Sequence, residues 1–126
     1  MLAFLDTEFT DLVVRPRLLS VGLVTDCRPG PEFYAEVTDQ DRIQATGWFG
    51  LSAVLPQFGK VAHAACSYAE LGARLSNFLA GLVADLPGGA AVEVAFGYHL
   101  DWELIDLAVT DSGSKSWAST RRRVHP

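Results

Sequence analysis

The chain has 126 residues and a net charge of −5, and its length suits one globular domain with its own core. The acidic balance argues against a protein that coats long nucleic acid through a basic face. Cys27 and Cys66 belong to no C-x-x-C pair, so neither a disulfide framework nor a zinc site is expected.

The first predicted element is a strand at Leu2–Leu5, an apolar run that begins one residue from the amino terminus. The run stops at Asp6, before it reaches the length of a signal peptide or a membrane span, and no basic segment precedes it. We therefore expect a cytoplasmic protein with no membrane partner. A second strand candidate at Leu18–Val24 follows a loop containing Pro16, which places the first strand inside a sheet.

Two acids end that first strand. Asp6 and Glu8 are two residues apart, so in extended backbone their side chains point to the same side. Their oxygens would be close enough to share a divalent cation, and without a cation or a proton between them the two carboxylates would repel. The structural alternative is that Asp6 begins a turn and Glu8 is a solvated surface acid.

The middle of the chain predicts a hairpin and a short helix. Pro29-Gly30-Pro31 marks a turn, and the alternation in Glu32–Val37 favours a third strand. Between residues 38 and 59, apolar residues with helical spacing stop at Pro56, which predicts a short helix packed in the core. These residues are Trp48, Phe49, Leu51, Val54 and Leu55. The alternative for the two aromatic residues is stacking on a base.

The clearest helix signal is a capping box at Ser67 and Glu70, followed by apolar residues at helical spacing up to Pro87-Gly88-Gly89. A strand at Ala91–Phe96 comes next. Because a helix separates this strand from the earlier ones, we expect it to lie parallel to the first strand, with the helix as the crossover.

A final helix is predicted from about Leu100 to Val109, with Asp101 in its first turn. If the two strands are parallel, Asp101 lies at the same end of the sheet as Asp6. The positive end of the helix dipole also favours an acid in this position, so a purely structural role for Asp101 is the alternative.

The order of these elements resembles the DEDD family of 3′-5′ exonucleases, the DnaQ-like members of the ribonuclease H fold. Leu5–Thr10 is similar to the family's first motif, and Phe96–Leu104 is similar to the second. Within that family, the sequence motifs most resemble those of small bacterial exoribonucleases related to ribonuclease T. The resemblance implies an α/β protein with a ribonuclease H-like mixed sheet and helices on both faces.

The resemblance also implies the site and its chemistry. Asp6, Glu8 and Asp101 would be catalytic residues and ligands of Mg²⁺ or Mn²⁺ in a two-metal hydrolysis, and Thr7, Phe9 and Thr10 would contact the substrate. The partner would be the 3′ end of a short single strand of RNA or DNA, RNA being preferred, with release of nucleoside monophosphates. For Phe9, core packing is the alternative.

One departure from the family concerns its third motif, a helix with His and, five residues later, Asp. The chain has no carboxylate after Asp111, and His125 stands almost at its end. We therefore expect a single domain, residues 1–126, that is incomplete at its carboxyl end, lacks the last helix and is impaired in catalysis. The face left by that helix would favour a homodimer, and Arg121–Arg123 would be a solvated tail.

Two other functions stay open. The fold could persist as a truncated or vestigial binding module for nucleic acid or protein. Alternatively, Asp6–Thr10 could be a phosphatase motif, with Asp6 as the covalent nucleophile and Glu8 as the acid. The phosphatase is the less favoured hypothesis, because such a protein needs parallel strands from its start and the hairpin predicts antiparallel ones.

Overall fold

A computed structural model describes residues 1–11, 15–27, 29–88 and 91–114, together with the backbone of residues 120–124. Its strands are β1 (Leu2–Phe9), β2 (Leu18–Thr25), β3 (Glu32–Val37), β4 (Ala65–Cys66), β5 (Val92–Phe96) and β6 (Thr120–Val124). Its α-helices are α1 (Gln40–Gln44), α2 (Tyr68–Ala84) and α3 (His99–Asp111). A π-helical turn (Gly50–Val54) and a 3₁₀ turn (Leu55–Gln57) lie between α1 and β4.

The sheet is mixed, with the strand order β4-β3-β2-β1-β5-β6. Strand β1 is antiparallel to β2 and parallel to β5, which confirms the predicted place of the first strand and the crossover through α2. Strands β2 and β3 are also antiparallel. This arrangement contradicts the phosphatase hypothesis, which required parallel strands at the start of the chain.

Strand β1 is longer than its apolar run. It continues to Phe9, and its pairing with β2 covers Asp6 and Glu8. Its parallel pairing with β5 includes only Leu2, Ala3 and Phe4. The two acids therefore lie within the strand, in the part that β5 no longer flanks, rather than in a turn.

One face of the sheet carries the core. Its buried residues come from alternate positions of four strands, as burial of a single face requires. They include Ala3, Leu5, Val21, Leu23, Ala35, Val92 and Val94. Helices α2 and α3 cover this face, as ring contacts of Phe33 with Phe78 and of Phe96 with Trp102 indicate.

Helix α2 begins as the sequence predicted. Ser67 Oγ accepts a hydrogen bond from the backbone N–H of Glu70 at 3.2 Å. The same hydroxyl donates to Glu70 Oε1 at 3.0 Å. The Glu70 side chain therefore binds the Ser67 hydroxyl. The helix ends at Ala84, and Gly89 of the predicted stop signal lies outside the described residues.

The opposite face of the sheet is more open. Phe4, Val24 and Tyr34 on this face are 43%, 45% and 39% exposed. In the described part of the chain, the helical turns of residues 50–57 lie over the end of this face nearest Glu8, and Val61 lines a pocket with Phe4, Val24 and Tyr34. The expectation of helices on both faces is thus met there by short turns alone.

The segment between residues 38 and 59 was expected to pack its aromatic residues in the core, but it exposes them to solvent. Trp48, Phe49 and Leu51 are 80%, 67% and 54% exposed, and only Val54 of the five apolar residues is fully buried. Of the exposed residues, Leu51 lies in the π-helical turn Gly50–Val54, whose wider winding departs from the α-helical spacing on which the prediction relied, and Trp48 and Phe49 lie just before that turn.

The arginine run at the carboxyl end was predicted to be a solvated tail. Its backbone instead belongs to β6, which is parallel to β5 with Val92 opposite Thr120. His125 lies outside the described residues. No helix in the described ranges has the length and apolar character that crossing a membrane requires.

Candidate functional site

Asp6 and Glu8 lie on the open face of β1. Burial alternates along the strand, with Ala3, Leu5 and Thr7 buried and the residues between them at least partly exposed. Opposite the two acids on β2 are Gly22 and Ser20. The missing side chain of Gly22 leaves space directly beside Asp6, which favours access to its carboxylate.

A cleft of about 300 Å³ opens at these two acids. Its floor is the sheet, with Asp6, Glu8, Ser20, Gly22 and Tyr34. Ala53, Val54, Gln57 and Phe58 form its other side. None of the lining residues is basic.

Asp101 approaches the same strand from α3. It is only 6% exposed, and Thr7 Oγ1 donates a hydrogen bond to its Oδ1 at 2.5 Å. Backbone hydrogen bonds from Tyr98 and Thr7 also favour its charged form. The third carboxylate is therefore fixed to Thr7, the residue between the exposed Asp6 and the partly buried Glu8.

The three carboxylates influence one another electrostatically. Burial raises the pKa of Glu8, and the charges of Asp6 and then Asp101 raise it further. Burial also raises the pKa of Asp101, the Thr7 hydrogen bond opposes this, and the charge of Asp6 adds to the rise. Such mutual repulsion is what a bound cation would relieve.

The structure thus brings Asp6, Glu8 and Asp101 into one region, as the sequence predicted. They do not form a ready-made cage, because in the described ranges no three His, Cys, Asp or Glu side chains are grouped to hold a metal ion.

The three residues expected to contact substrate have structural contacts here. Thr7 is buried and binds Asp101. Thr10 is 4% exposed, and its Oγ1 accepts the Arg17 N–H at 3.1 Å. Phe9 is partly buried and packs against the core, in agreement with the alternative given for it.

Sequence reasoning missed Tyr34 and Glu36. Tyr34 Oη donates to Glu36 Oε2 at 2.6 Å, and Tyr34 lines the cleft beside the two acids. Glu36 is only 2% exposed although its side chain is a carboxylic acid. The alternation of Glu32–Val37 was the available signal, since it places Tyr34 and Glu36 on the same face of β3.

Neither a protein-family model nor a curated protein matches this sequence.

Proposed function

We propose that the protein is a metal-dependent 3′-5′ exonuclease of the DEDD type, acting on the 3′ ends of short single strands, RNA by preference. The observation that carries this proposal is the hydrogen bond from Thr7 that holds Asp101 beside Asp6 and Glu8 on the central strand, with the pKa values of Glu8 and Asp101 raised. Perturbed acids grouped in a cleft are typical of functional sites.

The topology supports the same proposal. Three antiparallel strands, β1 to β3, continue through β1 into the parallel strands β5 and β6. This order, apart from the short edge strand β4, is compatible with a ribonuclease H-like sheet, and Asp101 in the first turn of α3 contacts β1 at Thr7. Because one fold can host many functions, the proposal depends mainly on the three carboxylates.

The donor set suits Mg²⁺ or Mn²⁺, because hard cations select carboxylate oxygens. Asp6 and Glu8 offer accessible oxygens, and Asp101 can keep its bond from Thr7 on one oxygen while the other binds a cation. A divalent ion here would neutralise charge at the phosphate and lower the pKa of a water molecule. Without a cation the acids would repel the phosphate, because none of the residues that line the cleft is basic.

The shape of the site favours the end of a single-stranded nucleic acid. The cleft, about 300 Å³, is at the lower end of the volumes of ligand pockets. The exposed rings of Trp48 and Phe49 precede the turn that lines it, and Gly47 ties them to β1 through a 2.9 Å hydrogen bond to the Thr10 carbonyl oxygen. Exposed aromatic rings stack on bases without regard to sequence.

The test is a turnover assay with Mn²⁺ and an oligoribonucleotide labelled at its 5′ end. Because this chain is expected to be impaired in catalysis, the proposal expects slow formation of products that shorten stepwise from the 3′ end. This activity should be lost in Asp6→Asn and retained in Glu103→Gln, which removes an exposed acid of α3. Internal cleavage only, or release from the 5′ end, would reject it. The pattern of cleavage lengths should show little sequence preference, because no base-reading element is present among the described residues.

A vestigial binding module is the second candidate. It is favoured by one observation, that the described acids do not form a preassembled group of three metal ligands. Binding of the oligoribonucleotide without turnover, at any Mn²⁺ concentration, would support this candidate. The predicted homodimer remains a prediction, which the oligomeric state in solution would test.

A further inference from the structure

Glu36 is a buried acid that the proposed hydrolysis does not use. Its side chain lies on β3 with 2% of the residue exposed. Within the described ranges it forms no ion pair with Lys, Arg or His; the pairs there are Arg17 with Asp41 and Arg74 with Glu70. Burying a charge without a cation is costly, so hydrogen bonds must replace the lost water.

Those hydrogen bonds come from two different elements. Tyr34 Oη donates to Oε2 at 2.6 Å from the same strand. The backbone N–H of Gly59 donates to Oε1 at 3.0 Å from the segment after the 3₁₀ turn. One carboxylate therefore joins the sheet to that segment.

The segment is the side of the cleft that faces the acids. We call residues 50–58 the cleft wall, because Ala53, Val54, Gln57 and Phe58 line the cleft opposite the sheet. Just before it, Gly47 donates to the Thr10 carbonyl oxygen at 2.9 Å. Just after it, Gly59 has a φ of +82°, a conformation that favours glycine, and its N–H points to Glu36.

Tyr34 is held by the same carboxylate. Burial raises its pKa, and the hydrogen bond to Glu36, the charge of Glu36 and the charge of Glu8 raise it further. The phenol therefore stays protonated and remains a donor to Glu36 at neutral pH. Its ring is fixed at the floor of the cleft, next to Asp6 and Glu8.

We propose that Glu36 is a positioning residue of this site: it sets the cleft wall and Tyr34 at the separation from Asp6 and Glu8 that a terminal nucleotide requires. The inference rests on the proposed function. Glu36 acts through Gly59 and Tyr34, so its loss weakens nucleotide binding and leaves the chemistry at the metal-binding acids largely intact.

The experiment compares Glu36→Ala, Glu36→Gln, Tyr34→Phe and the control Glu32→Ala, which removes an exposed acid from the same strand. Alanine removes both bonds. Glutamine can keep both, because its oxygen can accept from Gly59 and its amide can donate to Tyr34 Oη. Two quantities are measured: hydrogen exchange of the Gly59 amide, with Val21 and Leu23 as core references, and KM and kcat for a short oligoribonucleotide with Mn²⁺.

In Glu36→Ala we expect exchange at Gly59 to be about 10-fold faster, since one charge-assisted hydrogen bond is lost, while Val21 and Leu23 are unchanged. KM should rise about 10-fold with kcat within about 3-fold, and Glu36→Gln should restore both. Tyr34→Phe keeps its ring and should raise KM while leaving Gly59 protected. It serves as the second variant if Glu36→Ala fails to fold.

Unchanged exchange at Gly59 in Glu36→Ala, or equal acceleration of the core amides, would overturn the inference, as would faster exchange without a change in KM. An unchanged KM in Tyr34→Phe would do the same where Glu36→Ala does not fold. If the unaltered chain has no turnover and does not bind the oligoribonucleotide, the proposed nuclease function fails by itself. Faster exchange at Gly59 in alanine and recovery in glutamine would then still support Glu36 as the anchor of the cleft wall.

Discussion

At the scale of single residues, Thr7 lies between two acids of the cleft but faces the other side of β1, where it binds Asp101. Its neighbours Asp6 and Glu8 are on the open face, whereas its own side chain is buried and donates to Asp101. The Thr7 hydroxyl gives the buried Asp101 carboxylate a hydrogen bond in place of one from water. It also fixes that carboxylate close enough to Asp6 for the charge of Asp6 to raise its pKa.

Removing that hydroxyl gives the first prediction. Thr7→Val keeps the shape of the side chain but leaves Asp101 without its 2.5 Å donor. We expect the free energy of unfolding at pH 7 to fall by about 2 kcal/mol, as for other hydrogen bonds to buried charged groups. Thr7→Ser keeps the hydroxyl and should lose less. No loss in Thr7→Val, or a larger loss in Thr7→Ser than in Thr7→Val, measured by urea denaturation, would contradict the stabilising role of the hydrogen bond.

The raised pKa values of Glu8 and Asp101 give a prediction about pH. Because both pKa values are higher in the folded chain than in the unfolded chain, the folded protein holds these protons more tightly. Their contribution to stability is complete below the ordinary carboxyl pKa, about 4, and is lost as pH rises through the raised values. Urea denaturation without divalent metal should record this fall.

Asp6→Asn is the matched variant for that pH profile. It removes a charge that raises both pKa values, so the fall in stability with pH should be less steep. At pH 7 the variant should be more stable by about 0.5 kcal/mol, typical of partly exposed charge pairs. Glu103→Gln should follow the unaltered profile. A profile that is identical in Asp6→Asn would contradict the coupling of the three acids.

At the scale of elements, two glycines of α2 have opposite requirements. A Cβ on Gly72 would collide with the carbonyl oxygen of Ala108 in α3, so this glycine permits the close packing of the two helices. A Cβ on Gly81 would meet nothing within 4 Å. The same residue type therefore serves packing at one position and only lowers helix propensity at the other.

Substituting alanine at each position tests this difference. Gly81→Ala should stabilise the chain by about 1 kcal/mol, because alanine is the better helix former. Gly72→Ala should destabilise it by about 2 kcal/mol, because backbone of α3 must move to accept the methyl group. The two free energies of unfolding are measured side by side. Stabilisation by both substitutions would show that the packing of α2 on α3 is looser than described.

At the scale of the whole molecule, the sequence predicted what depends on local pattern. The apolar run before Asp6, the capping box of α2 and the crossover to β5 placed β1 in the sheet and Asp101 near it. The bond of Asp101 to Thr7 and that of Glu36 to Gly59 join residues distant in sequence, which no local pattern records. Leu51 is exposed within a π-helical turn, whose winding departs from the ordinary helical spacing that the prediction assumed.

The central claim is that Asp6, Glu8 and Asp101 bind a divalent cation, and a Mn²⁺ titration of thermal stability tests it most directly. At ten times the Kd, binding to the folded chain should add about 1.4 kcal/mol of stability, which corresponds to a rise in Tm of roughly 5 °C. The response should saturate, disappear in Asp6→Asn and persist in Glu103→Gln. No response of the unaltered chain, or an equal response of Asp6→Asn, would contradict the claim.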